Sequence, residues 1–564
     1  MADSGEHTAA DAKPAAGWHD DELVFLPLGG AGEIGMNLNL YGLAGKWLMI
    51  DLGITFADET MPGIDVVTPD PSFIAERRDN LLGIVITHAH EDHLGAVALL
   101  WPELECPVYA TPFAAAVLRG KLEEQGLLGE VPLHEVPLGG ELRLGPFEIE
   151  FISITHSIPE PNALAIRTAL GTVLHTGDWK LDPDPLLGET TDETALRRLG
   201  EAGVLALVCD STNVFNPGES GSEAAVRKSL DALIEGRRGR IAVSTFASNV
   251  ARVKTVAAVA AKHNRHLVVV GRSLHRMIQA ARDTGYMDDL GPLLDEAEGG
   301  YLPPDAVLYL CTGCQGEPRG AMARVAAGAH PEVVLGTGDL AIFSSKVIPG
   351  NERAIGRMQD QLIAAGVEVI GERSHFVHVS GHPCRDELMR MYEWIRPQVA
   401  VPVHGELRHL VEHAELARSL QTPLAVTITN GQVLKLAPGR PEVVAEVGAG
   451  RWYLDGEVLV SSADETLKER RRLMFNGSAV LTLVLDDRGE ALAPPSLVLL
   501  GIPGAVARLE REVRAAVGKA LAQLSRGARR HDDCVAESAR IAARQALRRA
   551  SGKRPVVEVR VVRV

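Results

Sequence analysis

Short apolar runs recur along the first 210 residues, and many of them stop at a glycine, a histidine or an aspartate. Residues 23–28 and 37–41 read as strands around a glycine-rich turn, and 47–51 and 81–86 read as two more. Residues 147–155 alternate and are rich in β-formers, and 172–177 make a similar run. Short helical stretches fall between these runs as far as about Thr212, which is an α/β pattern. Beyond it the rhythm becomes more regular. Residues 222–235 are amphipathic, 240–244 strand-like, 250–262 helical again and 267–271 a short apolar strand, as in the βα units of a parallel sheet. Near Glu372 the chain returns to short histidine-bearing segments, and the run 399–403 ends in His404.

The simplest topology is an insertion, with a second α/β domain over 213–372 set inside a first one made of 21–212 and 373–450. Residues 451–472 read as a linker. A small α/β domain then covers 473–564, with strands near 479–485 and 497–501, helices near 506–524 and 534–550, and a last alternating strand over 556–564. Residues 1–20 are polar and read as a disordered tail.

Composition agrees with several domains, since 46% hydrophobic residues in 564 can fill more than one core. No apolar run reaches the roughly 18 residues of a membrane span, and the N-terminal stretch has no signal-peptide core, so a cytosolic protein without membrane contact is expected. Six cysteines are too sparse for a disulfide framework. Cys311-Thr312-Gly313-Cys314 is a single CxxC without a second pair, and it reads as packing cysteines rather than a zinc or redox site. The net charge of −17 argues against a nucleic-acid binder until its distribution is considered. From Arg451 onward 21 Lys+Arg face 14 Asp+Glu, a net of +7, which leaves −24 on the first 450 residues. An acidic body can still carry RNA if metals neutralise its site carboxylates and the path is locally basic.

The candidate chemistry begins at His88-Ala89-His90-Glu91-Asp92-His93, directly after the run 81–86. Neutral imidazole and carboxylate suit borderline divalent ions such as zinc, and a loop leaving a strand end would hold them rigidly. The spacing His-x-His-x-Asp-His is that of the metallo-β-lactamase fold, which places further ligands at later strand ends. His156 and Asp178 stand at such ends. Taken singly, either residue also suits a turn or a polar core position.

Taken in order, the motifs resemble the β-CASP branch of the metallo-β-lactamase superfamily, and within it the bacterial ribonuclease J family. They are Gly29-Gly30-Ala31-Gly32-Glu33-Ile34-Gly35, Asp51-Leu52-Gly53, the 88–93 segment, Thr155-His156-Ser157, Gly177-Asp178 and Cys209-Asp210-Ser211-Thr212-Asn213. Ser244-Thr245-Phe246-Ala247-Ser248-Asn249, Gly313-Cys314-Gln315-Gly316-Glu317, Ser344-Ser345-Lys346, Pro349-Gly350-Asn351-Glu352, His378-Val379-Ser380-Gly381-His382 and Val403-His404-Gly405-Glu406 follow. The resemblance implies a metallo-β-lactamase αββα sandwich with an inserted β-CASP domain and a small C-terminal α/β domain.

It also implies an RNA-degrading and RNA-processing enzyme, a 5′→3′ exonuclease preferring 5′-monophosphate ends and also an endonuclease. His88, His90 and His156 would hold one divalent ion and Asp92, His93 and His404 another, with Asp178 bridging. Zinc is the first choice, with manganese or magnesium as alternatives. Asp210 and His382 would serve orientation and proton transfer. His378, Val379, Ser380, Gly381 and His382, helped by Ser344 and Ser345, would bind the terminal phosphate, and Phe246, Ala247 and Ser248 a nucleotide. Asp51, Gly53 and Asp455 would supply a structural calcium site, and the C-terminal domain a homodimer or homotetramer contact. Ala89 stands where the family commonly has glycine and Cys314 where it has serine, which bears on the RNA path and not on the ligands. Competing readings are a hydrolase of a small ester or thioester, which needs no inserted domain, a DNA nuclease, and a catalytically idle RNA-binding scaffold, which a broken ligand set would support although every ligand is present here.

Overall fold

The strand Phe147–Ser153 shows how the pattern becomes a layer: Phe147, Ile149 and Phe151 project to one side of the sheet, while Ile152 belongs to a core on the other. A computed structural model describes residues 17–57, 60–348 and 350–564, so most of the tail expected over 1–20 lies outside the described residues. Trp18, inside that expected tail, packs edge-on against Trp47 with ring centroids 6.1 Å apart, so the ordered body starts earlier than polarity suggests. The chain divides into two compact units, residues 1–55 with 68–450, and residues 56–67 with 451–564.

The larger unit holds two facing sheets and an inserted third. One sheet runs in the order Glu442–Glu446, Gln432–Ala437, Leu23–Gly29, Leu38–Leu43, Lys46–Ile50, Leu81–Val85, Val108–Ala110, Leu133–Glu135. The other runs Glu141–Leu144, Phe147–Ser153, Asn162–Thr168, Gly171–His175, Ala206–Asp210, Val399–Val403, Leu424–Ala425. Phe25, Tyr41, Leu48, Ile50 and Val85 meet Phe147, Phe151, Leu164, Val173, Val208 and Val401 in the core between them. On the outer face of the second sheet, Leu196, Leu199, Met391 and Trp394 from the helices Glu193–Ala202 and Arg385–Ile395 cover Ile152, Ala165, Leu174 and Leu207. Sheets packed in this way with helices outside make the αββα sandwich.

The inserted part carries a wholly parallel sheet in the order His266–Val270, Val307–Cys311, Ile241–Ser244, Leu340–Phe343, Glu368–Gly371. Its central strands are buried throughout and mostly apolar because helices cover both faces. Asn249 caps the helix Val250–Lys262 by accepting from the Arg252 N–H at 2.9 Å.

In the smaller unit the expected linker over 451–472 proves structured. Arg451–Asp455 and Val458–Ser461 pair as a hairpin through a two-residue turn with Gly456 at φ +66°, and the helix Glu465–Asn476 follows. Ser478–Leu485, flanked by Ser496–Leu500 and Val556–Arg563, then packs on the helices Val506–Gln523 and Asp532–Ser551 around Leu481, Leu483, Val513, Ala539 and Leu547. Among the described residues no helix is long and apolar enough to cross a membrane.

Candidate metal centre

Every candidate ligand leaves the C-terminal end of a strand, and the pairing brings those ends together. Gly171–His175, Ala206–Asp210 and Val399–Val403 are parallel neighbours, so Asp178, Asp210 and His404 emerge along one edge. From the facing sheet the loop after Leu81–Val85 delivers His88, His90, Asp92 and His93. Its approach requires Gly53: a Cβ there would stand 1.8 Å from the Asp92 carbonyl oxygen. Gly53 therefore acts as a close-contact position under the loop.

Two ligand sets result, and they share one residue. His88, His90, His156 and Asp178 offer ligand atoms all within 4.8 Å of one another, and so do Asp92, His93, Asp178 and His404. His90 Nδ1 lies 3.1 Å from His88 Nε2 and 3.0 Å from His156 Nε2. His93 Nε2 lies 3.2 Å from Asp178 Oδ2, and His404 Nε2 lies 3.2 Å from Asp92 Oδ2. Asp178 is buried, and its Oδ1 has no hydrogen-bond partner. Ring nitrogens of His88, His93 and His156 converge on Asp178 Oδ2, and a carboxylate so placed, with its other oxygen orphaned, is what a divalent cation would satisfy.

The other ring nitrogens are held by two similar devices. Asp51 accepts from His93 Nδ1 at 2.6 Å and from the Thr87 hydroxyl at 2.8 Å, and Thr87 accepts in turn from His88 Nδ1 at 2.9 Å. Asp210 accepts from His382 Nδ1 at 2.8 Å and from the Thr212 hydroxyl at 2.7 Å, which accepts from His404 Nδ1 at 2.8 Å. Each aspartate thus fixes one histidine directly and a second through a threonine, leaving Nε2 of His88, His93 and His404 for a cation. His156 Nδ1 donates to the Gly381 carbonyl. Asp51 and His404 both sit in the left-handed region, at φ +63° and +51°, a strain that the packing around the site sustains.

Asp51 was expected to bind calcium with Asp455. Both its oxygens hold Thr87 and His93, and Asp455 is paired with Arg470 at 2.5 Å.

Electrostatics fit cation binding. Burial, reinforced by the neighbouring imidazoles, holds His88 and His156 well below the ordinary histidine range, and burial alone dominates in bringing His90 down to about 4. These three are neutral, as ligands must be. Burial works against charge on His93 and His404 as well, but Asp178 with Asp51 and Asp92 around His93, and with Asp210 and Asp92 around His404, lifts both pKa values. The carboxylate surplus that would retain protons there is the surplus that would retain divalent ions. A third grouping of Asp178, Asp210, His382 and His404 also converges. Both Asp210 oxygens are spoken for by Thr212 and His382, which suits positioning better than ligation.

The residues expected around a terminal phosphate divide into two kinds. Ser380 Oγ accepts from Asn213 Nδ2 at 2.6 Å and from the His382 N–H at 3.1 Å, so its own proton remains for a ligand. His378 Nδ1 is shut off from solvent without a partner, and burial and the charges of Arg252, Lys346 and Lys180 keep that ring neutral. Ser344 differs. Its hydroxyl is fully buried, donates to the Val377 carbonyl at 2.7 Å and accepts from Arg252, so it braces the loop instead of lining a pocket. Phe246, Ala247 and Ser248 follow Ile241–Ser244, beside the strand that ends before Ser344 and Ser345.

Sequence reasoning missed Thr87, Asn213 and Lys346 as parts of the site; Lys346 Nζ donates to Asn213 Oδ1 at 3.0 Å. Asn213 and Lys346 stand inside quoted motifs without having been given a role, and Thr87 directly precedes one. Cys311 and Cys314 are buried, and burial pushes the Cys314 thiol up to about 12, which suits packing.

Known proteins fall in with this geometry. Residues 37–243 match the metallo-β-lactamase superfamily, 238–362 the ribonuclease J β-CASP domain, 366–425 the Zn-dependent metallo-hydrolase RNA specificity domain, and 465–564 the ribonuclease J C-terminal domain. Ribonuclease J of Sinorhizobium meliloti is 45% identical over 552 residues, covering 97% of this chain and 98% of that one. The proteins of the same name from Mycolicibacterium smegmatis and Thermus thermophilus are 39% identical over 530 residues and 36% over 480, covering 93% and 84% of this chain and the same shares of their own.

Proposed function

Since this chain belongs to the ribonuclease J family and is a metal-dependent, RNA-processing ribonuclease, we propose that its two ligand sets hold two divalent ions, with Asp178 between them. The sharing of Asp178, with Oδ1 left unpartnered, is the observation that carries this reading. Imidazole-rich donors suit zinc above manganese or magnesium. When bound, such ions supply Lewis acidity to the phosphodiester and lower the pKa of the attacking water.

The chain's own residues do the rest. His382 keeps Nδ1–H on Asp210, which leaves Nε2 to deliver a proton to the departing 3′ oxygen. The products are a 3′-hydroxyl and a 5′-phosphate. Ser380, the Gly381 backbone, His378 and His382 bind a terminal 5′-monophosphate and set the register for stepwise 5′→3′ cleavage; internal cleavage uses the same centre without anchoring an end. Phe246, Ala247 and Ser248 contact a nucleotide beside it.

Ser380→Ala removes the hydroxyl donor together with the acceptor for Asn213 Nδ2 and the His382 N–H. Its preference for 5′-monophosphate over 5′-triphosphate RNA should fall by about 1–3 kcal/mol, the scale of a hydrogen bond to a charged group. Internal cleavage should suffer less. Matched rates on the two ends measure the difference, and equal losses on both would mean that the cluster is structural.

The smaller unit has an open sheet face, with Val498 52%, Leu500 58% and Val562 44% exposed. We assign it to self-association as a homodimer or homotetramer. Ending the chain after Asn476 removes this self-contained core and should reduce the sedimenting mass to that of a monomer while metal content persists. An unchanged oligomer would contradict the assignment.

A further inference from the structure

Arg252, from the helix Val250–Lys262, is fully buried and makes none of its contacts with solvent or with the metal ligands. Its guanidinium reaches three separate parts of the chain. Nε and Nη2 donate to the Glu223 carboxylate at 3.0–3.2 Å, and Nη1 donates at 2.9 Å to the carbonyls of Ser344 and Val377. It also meets the Ser344 hydroxyl.

Those three points matter for their places in the chain. Glu223 opens the first helix after the chain leaves the sandwich, Val377 lies where the chain returns to it, and Ser344 directly follows the strand Leu340–Phe343 of the inserted sheet. Glu223 is tied back to the sandwich as well: its N–H donates to Asp182 Oδ2 at 3.0 Å, which also accepts from Lys180 Nζ at 2.8 Å. One buried fork therefore closes both crossings between the sandwich and the inserted part.

The returning segment then continues directly into His378, Ser380, Gly381 and His382. We infer that Arg252 is a positioning residue for recognition of the 5′ end, holding the start of the 377–382 loop at a fixed distance from the strand end at Ser344–Ser345. This rests on the reading of that loop as the terminal-phosphate pocket. A planar fork can serve a carboxylate and two carbonyls at once; an ammonium point charge cannot.

The test compares full-length wild type, Arg252→Lys and Ser380→Ala on three RNAs: a 5′-monophosphate strand, the same strand with a 5′-hydroxyl, and a circular RNA that has no end to bind. Arg252→Lys should lose about tenfold of the monophosphate preference, chiefly in KM, while circular RNA is cut within about twofold of wild type. Because a lysine in that cavity can destabilise the fold, Arg252→Met with Glu223→Leu provides a second route; it removes both charges and strands neither. It should show the same selective loss, with thermal unfolding as the check on folding. If Ser380→Ala lowers the preference and the Arg252 variants do not, the inference is overturned and the pocket stands. Parallel losses on linear and circular RNA would reduce Arg252 to a structural role and overturn it too. If Ser380→Ala leaves the preference intact, the pocket reading fails and the inference falls with it.

Discussion

Asp178→Ala is expected to abolish cleavage of linear and circular RNA alike, by at least about 10³-fold in kcat, the scale on which a centre loses its main charge-stabilising group. The size follows from position: Asp178 belongs to both ligand sets and is the one residue they share. Removing His90 or Asp92 would thin one set; removing Asp178 opens both. The fold should tolerate the change. Asp178 follows the strand Gly171–His175 without belonging to it, and its Oδ1 satisfies no group of the protein. Without this carboxylate, His93 and His404 lose the neighbour that most raises their pKa values. Matched single-turnover assays and thermal melts check the prediction together. Near-normal turnover in a folded variant would sink the bridging assignment.

His382→Ala should cost about 10²–10⁴-fold on RNA, the range for loss of a general acid. The loss should appear on linear and circular substrates alike, because the departing 3′ oxygen needs a proton in both, and it should be larger on 5′-monophosphate RNA, whose end His382 also holds. The Asp210 contact at 2.8 Å, and Asp178 at 3.7 Å, outweigh burial and raise the pKa of His382, which favours the protonated form near neutrality. A p-nitrophenyl phosphodiester leaves as a stabilised anion without protonation, so the variant should cleave it at close to the wild-type rate. If both substrates are lost equally, His382 serves the centre in another way.

How much of this was legible in the sequence depends on how local each signal is. His88, His90, Asp92 and His93 lie within six residues, and their spacing alone announces cation chemistry. His156, Asp178 and His404 were legible as residues at strand ends, although His404 meets Asp92 across 312 positions. Partners were harder to read. An aspartate after a strand carries no mark of the histidine it will hold 42 residues later, so the Asp51–His93 contact was not foreseen. The close contact at Gly53 went unread for a related reason, since close backbone approach leaves no pattern along the chain. The hairpin within 451–472 had a signal, a glycine at the first position of a two-residue turn between Arg451–Asp455 and Val458–Ser461, but the dense charges that follow outweighed it. Ser344 shows the remaining limit: a hydroxyl in a phosphate-binding motif looks the same in sequence whether it faces a ligand or a buried arginine.

The central claim is that two ions act together at one shared carboxylate, and the most direct measurement of it is a titration. Protein stripped with chelator is reconstituted with zinc, and in parallel with manganese, while hydrolysis of a 5′-monophosphate RNA is followed against equivalents bound per chain. Activity should be absent in the stripped protein and reach its plateau at two equivalents. A plateau at one equivalent, or cleavage by the stripped protein, would contradict it.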